Sequence, residues 1–131
     1  MFLDTSGLLC LFNRKDRRHA AAAEFYQLAD RRVTHSYVLA EFVALAQSRR
    51  ARRLAVLEFI IAVANTPEIE VVWVDRKLHN RVLQLLMQTT DKTWSLCDAV
   101  SFLVMSDHGF RESMTTDHDF EQAGFIRLLE R

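Results

Sequence analysis

Met1-Phe2-Leu3-Asp4-Thr5-Ser6 begins with three apolar residues and runs directly into an acid. Three apolar residues in a row predict a short strand buried on both faces, the kind found in a parallel sheet covered by helices. An acid at the exit of such a strand is costly unless it has a partner. The same oddity recurs three times: Glu41 in Val38-Leu39-Ala40-Glu41-Phe42-Val43, Asp98 in Ser95-Leu96-Cys97-Asp98-Ala99-Val100, and Asp117 in Met114-Thr115-Thr116-Asp117. Carboxylates that converge are unstable together unless they are protonated or joined by a cation, and hard oxygen donors suit Mg²⁺ or Mn²⁺.

Outward from the first strand, the pattern alternates. A helix is expected from Ser6 to about Asn13 and another over His19–Arg31, with Ala22, Phe25, Tyr26 and Ala29 at helical spacing. Val33-Thr34-His35 reads as a second strand. Ser36 is placed to N-cap a helix reaching Arg49, and a further apolar helix over Leu54–Ala64 must stop before Pro67. Glu70–Val74 is the clearest strand. Asp75 then caps a helix carrying Leu78, Val82, Leu85 and Leu86. A nearly all-apolar helix from Leu96 to about Ser106 ends near Gly109, Ser113–Thr116 and Phe125–Leu129 read as strands, and a short turn of helix from Asp117 is closed by Gly124. Alternating strands and helices predict an α/β fold, a mostly parallel sheet flanked by helices in three layers, built as one domain over residues 1–131.

In an open parallel sheet, ligands bind beyond the carboxyl ends of the strands. Asp4 and Asp117 follow strands directly, while Glu41 and Asp98 lie in the first two turns of helices that open at that end. Each acid taken alone has a structural reading. Asp4 and Asp117 could cap helices, Thr116 with Asp119 fits a capping box, and so does Ser95 with Asp98. Glu41 resists it, since Tyr37, Val38, Ala44 and Leu45 surround it at helical spacing. Four such accidents at one sheet edge are harder to accept than one site.

The 131 residues are half hydrophobic and 26% charged, with only three glycines and one proline, and the formal net charge is zero. Global attraction to nucleic acid is therefore not expected. Two local clusters, Arg14, Lys15, Arg17, Arg18 and Arg49, Arg50, Arg52, Arg53, read as solvated loop and helix ends, and become a phosphate-contacting rim only if the acidic residues act on nucleic acid. Cys10 and Cys97 match no metal or redox spacing and read as reduced core residues of a cytoplasmic protein. No leader segment and no membrane span is expected. No P-loop, G-x-G-x-x-G or G-x-S-x-G occurs, which removes the usual nucleotide-binding and serine-nucleophile classes. There is no Asp-x-Asp after the first strand to support a phosphatase. Of the five histidines, only His118 could approach the acids, and it reads as a surface residue.

Taken together, Phe2-Leu3-Asp4-Thr5-Ser6, Leu39-Ala40-Glu41, Leu96-Cys97-Asp98-Ala99-Val100-Ser101-Phe102 and Thr115-Thr116-Asp117-His118-Asp119-Phe120-Glu121-Gln122-Ala123-Gly124-Phe125 resemble the PIN-domain nucleases, in particular the VapC-type toxins of toxin–antitoxin modules. The resemblance spans the chain in the expected order. It implies a divalent-metal endoribonuclease with Asp4, Glu41, Asp98 and Asp117 as its acidic quartet. Asp4, Asp98 and Asp117 would be metal ligands, supported by hydroxyls at Thr5, Ser6 and Thr116. It also implies a homodimer and a cognate antitoxin protein. Gly7 stands where the family more often has alanine, a difference expected to be small. The rival reading is a non-catalytic PIN-like protein that binds RNA or a partner over a vestigial acidic pocket.

Overall fold

The computed structural model describes residues 1–131. Its elements run β1 (Phe2–Leu3), α1 (Thr5–Phe12), α2 (His19–Leu28), β2 (Arg32–His35), α3 (Ser36–Ser48), α4 (Arg53–Asn65), β3 (Ile69–Val72), α5 (Arg76–Gln88), α6 (Leu96–His108), β4 (Glu112–Met114), α7 (Asp119–Gln122) and β5 (Ile126–Arg127). The five strands form one sheet in the order β3-β2-β1-β4-β5, and every pairing is parallel. This is the α/β architecture expected from the alternating pattern.

The connections from β1 to β2 to β3 step in one direction, and the chain then returns to β4 on the other side of β1. Right-handed crossovers therefore place α1 to α4 on one face, and α5 and α6 on the opposite face. The helix contacts agree, with α1 packed on α2 and α3, α3 on α4, and α5 on α6. The strand order reverses between β1 and β4, so a crevice opens there at the carboxyl end of the sheet.

Burial explains the strand signals. Phe2 and Leu3 on the central strand are fully buried. In α6, Cys97, Ala99, Val100, Phe102, Val104 and Met105 are all buried, as an apolar crossover helix requires. Both cysteines are free and buried. No helix is long and apolar enough to cross a membrane.

Several expected boundaries shift for identifiable reasons. The strand expected to run to Thr116 ends at Met114, because the Thr115 N–H turns back to the Ser113 carbonyl at 3.0 Å and the Thr116 N–H donates to Ser6 Oγ at 2.9 Å. The strand expected to reach Val74 ends at Val72; the Val74 N–H donates instead to Ser36 Oγ at 2.9 Å, and Trp73 is exposed. Spending Ser36 in this way hands the α3 cap to His35, whose Nδ1 accepts from the Val38 N–H at 3.2 Å. An accepting Nδ1 fixes the proton on Nε2, which then donates to Ser101 Oγ at 2.8 Å, while Ser101 Oγ donates to the Cys97 carbonyl at 3.0 Å. Burial pushes the His35 pKa down to about 3, so this cap stays neutral. Asp75 does cap α5, accepting from the Leu78 N–H at 2.8 Å, and Gly109 ends α6 in the left-handed region at φ 72°.

Candidate active site

Asp4 leaves the central strand with almost no exposed surface. It occupies the N-cap position of α1, yet its side chain makes no capping bond. Its carboxylate turns to β4 instead: Oδ2 accepts from Thr115 Oγ1 at 2.7 Å and from Ser6 Oγ at 3.2 Å. The register explains the first contact. Phe2 pairs with Ser113 and Leu3 with Met114, so the next step along both strands brings Asp4 beside Thr115.

The same hydroxyls set the approach of Asp117. The Asp117 N–H donates to Thr115 Oγ1 at 3.0 Å, and the Thr116 N–H donates to Ser6 Oγ at 2.9 Å. Ser6 Oγ thus links Asp4, to which it donates, and Thr116, from which it accepts. The other hydroxyl that bonds Asp4 is that of Thr115 and not of Thr116, which contributes its backbone N–H to Ser6. The signal that separates them is strand alternation: Thr115 is fully buried, while Thr116 is half-buried in the cleft wall. Thr5 is buried, and its Oγ1 has no hydrogen-bond partner, so it holds no carboxylate here. Gly7 explains how α1 comes so near β4. A Cβ on Gly7 would lie 2.0 Å from the Met114 carbonyl oxygen, so the glycine is a structural requirement and not the small difference expected.

Glu41 projects from α3, half-buried and with no ion pair or hydrogen bond. Asp98 forms the predicted capping box. Its N–H donates to Ser95 Oγ at 3.0 Å and its Oδ2 accepts from the Ser95 N–H at 3.1 Å, which leaves Oδ1 free. Capping and facing the cleft are compatible roles for this residue. The alternative box built on Thr116 and Asp119 does not form; Asp119 donates its N–H to Asp117 Oδ1 at 2.9 Å.

All four acids line one open cleft of about 330 Å³, drawn from β1, α3, α6 and the β4–α7 turn. The electrostatics report the same convergence. Burial, reinforced by the charges of Asp98 and Glu41, pushes the Asp4 pKa up to about 7 against the hydroxyl bond from Thr115 and the nearby Thr5 backbone N–H. Burial also raises Asp98, with Asp117 and Glu41 adding like charge. The buried Cys97 thiol beneath the acids is raised by burial and by Glu41, Asp4 and Asp98, so it stays a neutral thiol.

Asp117, His118 and Asp119 also bring ligand atoms within 4.8 Å of one another. Adjacency in the chain accounts for that cluster. Asp117 Oδ1 is occupied by the Asp119 N–H, and Asp119 Oδ1 stands 3.6 Å from His118 Nδ1. Asp119 does not line the cleft, whereas His118 is an exposed residue at its rim. Of the eight basic candidates, only Arg49 lines the acidic cleft, and Arg18 is consumed by a bidentate pair with Asp16. Arg131, which the sequence pattern did not single out, joins Arg49 at the cleft.

The chain matches the PIN domain family over residues 1–126. It is 31% identical over 129 residues to the "23S rRNA-specific endonuclease VapC20" of two Mycobacterium tuberculosis strains, covering 98% of this chain and 97% of the relative. The crystal structure of M. tuberculosis VapC20, described as a Sarcin-Ricin loop cleaving toxin, superposes with a TM-score of 0.87 at 28% identity, covering 98% of both chains. Family match, relatives and fold agree: the chain belongs to the PIN-domain family and is one of its VapC-type ribonucleases.

Proposed function

We propose that this VapC-type ribonuclease hydrolyses RNA phosphodiester bonds at the cleft floored by Asp4, Glu41, Asp98 and Asp117, with Mg²⁺ or Mn²⁺ as cofactor. The observation that carries the reading is the convergence of four carboxylates from four separate elements on one open cleft. The donor set fits the ion: every candidate ligand is a hard oxygen, and buried Asp4 has hydroxyl partners but no cation beside it. Asp4, Asp98 and Asp117 would hold it. When bound, such an ion supplies Lewis acidity to the phosphodiester and to a water.

The remaining chemistry belongs to the chain. Thr115 and Ser6 donate to Asp4 and fix its orientation, and Thr115 also accepts from the Asp117 backbone, coupling the two acids. The capping box fixes Asp98 while leaving Oδ1 turned to its own use. Glu41, an unpartnered and half-buried acid of the cleft, would orient the attacking water and accept its proton.

The relatives' names point to ribosomal RNA, and a loop of 23S rRNA is the substrate proposed for this chain. An apolar cleft of about 250 Å³ between α1, α2 and α4, including Leu11, Tyr26 and Phe59, supports docking of an antitoxin segment. Exposed Trp73, Leu83 and Met87 offer apolar surface for a homodimer.

The test is incubation of the protein with intact ribosomes and with total RNA, with Mn²⁺, Mg²⁺ or chelator, beside Asp4→Asn and Asp98→Asn. Discrete cleavage of the large rRNA that needs the ion and disappears in both variants is expected. Undiminished cleavage by the variants overturns the site, and metal-dependent cleavage only of other RNAs overturns the substrate. A vestigial pocket would bind RNA without cutting it.

A further inference from the structure

Beside the acidic cleft, and larger than it, lies a groove of about 460 Å³ between the α1–α2 turn and the α3–α4 turn. Lys15, Arg49 and Arg50 line it, and none of the three forms an ion pair. Its only acid, Asp16, is neutralised from outside the groove. Arg18 donates to Asp16 Oδ1 through Nε and to Oδ2 through Nη2, both at 3.0 Å, and its backbone N–H adds a third bond at 2.8 Å. The groove is therefore net positive, although the whole chain is neutral. It is continuous with the acidic cleft, because Leu9 and Arg49 belong to both.

A second observation concerns the backbone. α3 closes with the Arg50 N–H on the Gln47 carbonyl at 3.0 Å and the Ala51 N–H on the Ala46 carbonyl at 3.1 Å. That closure puts its turning residue in the left-handed region, where glycine is usual. Here it is Arg50, at φ 61°, the only non-glycine residue of the chain with positive φ. A side chain kept where glycine would relieve strain is a pointer to use, and Arg50 faces the groove.

We propose that this groove holds the backbone phosphates of the RNA strand flanking the cleaved bond, with Lys15, Arg49 and Arg50 as its contacts and Arg49 as the junction between groove and acids. The proposal rests on the ribonuclease reading above and deepens it. It also separates the basic residues: Arg14, Arg52 and Arg53 are exposed but lie outside the groove and contribute little.

The test reads binding and not cleavage, so its failure is distinct from failure of the nuclease assignment. A labelled single-stranded RNA of mixed sequence is titrated with the full chain in chelator, across a range of KCl concentrations. Compared with the unmodified chain, Lys15→Gln/Arg49→Gln/Arg50→Gly should reduce the slope of log affinity against log salt by about 2, at roughly 0.7 per phosphate contact. Arg14→Gln/Arg52→Gln/Arg53→Gln removes the same charge and should leave the slope nearly unchanged. Arg50→Gly alone should weaken binding while its melting temperature holds or rises, a split that simple loss of folding cannot produce. Equal slopes for the two triple variants, or no RNA binding by the unmodified chain, overturn the proposal. Groove-dependent binding without any cleavage would support it while removing the nuclease reading.

Discussion

Thr115 Oγ1 lies 2.7 Å from Asp4 Oδ2 and also accepts the Asp117 N–H at 3.0 Å, so one hydroxyl ties together the acids that follow two neighbouring strands. The rotor has a single proton. It goes to the carboxylate, which can only accept, and the lone pairs remain for Asp117. One side chain thus contributes to the orientation of both acids, with Ser6 sharing its hold on Asp4.

Thr115→Val keeps the β-branched shape and removes the bonds to Asp4 and Asp117 together with the 3.1 Å contact to Ser6 Oγ. Cleavage should fall by about 10- to 100-fold, the usual cost of losing a partner behind a metal ligand. Thr116→Val should cost far less, because Thr116 holds Ser6 through its backbone. Initial cleavage rates for the two variants, with circular dichroism to confirm folding, decide the matter; equal losses would remove the special role of Thr115.

Asp4 and His35 give the metal-free protein opposing pH dependences. With its pKa raised to about 7, folded Asp4 binds more protons than the unfolded chain between about pH 4 and 7, so its contribution to stability falls as pH rises. With its pKa lowered to about 3, His35 binds fewer protons when folded between about pH 3 and 6.5, so its contribution rises with pH. In chelator, Asp4→Asn should leave the His35 trend exposed and be more stable than the parent chain at pH 7.5, on the order of a few kcal/mol at most. Adding Mn²⁺ should raise the melting temperature of the parent and not of the variant. Thermal melts across this pH range test both statements, and a variant less stable at every pH would contradict them.

Gly7→Ala carries a strong sign prediction. Alanine is favoured over glycine in a helix by about 1 kcal/mol, so propensity alone predicts stabilisation. The 2.0 Å approach to the Met114 carbonyl predicts the reverse, because backbone must move. Overpacking of this kind costs about 1–3 kcal/mol, and the displaced β4 end should reduce cleavage as well. A higher melting temperature for Gly7→Ala would show that α1 and β4 are not held so close.

Asp98 should separate stability from activity. Asp98→Asn retains an oxygen for the Ser95 N–H and should melt near the parent chain while losing cleavage. Ser95→Ala removes the cap and should cost about 1 kcal/mol of stability while cleavage persists. If the two variants show the same pattern, the capping box is the whole of the role of Asp98.

The architecture was legible because buried strands and apolar helices leave long signals, from Met1-Phe2-Leu3 to the helix at Leu96. The acids were legible because Glu41 has no local use. What escaped reading depended on which of two adjacent polar residues faces inward. Thr115 and Thr116, and His35 and Ser36, are each chemically plausible in the other's place, and only register and a neighbouring strand decide between them. The basic clusters were legible as charge but not as a surface. A short loop pairs Arg18 with Asp16 and leaves Lys15 free, a distinction set by turn geometry. Gly7 was under-read because helix propensity says nothing about what packs across it.

The bond between Thr115 and Asp4 also joins positions 111 residues apart. A chain emerging from synthesis carries Asp4, Glu41 and Asp98 well before β4 exists to receive them. Until Thr115 and Asp117 arrive, the first acid has neither its clamp nor its neighbour. The topology thus withholds this clamp until β4 has been made, and a product that stops short of β4 is expected to leave RNA uncut.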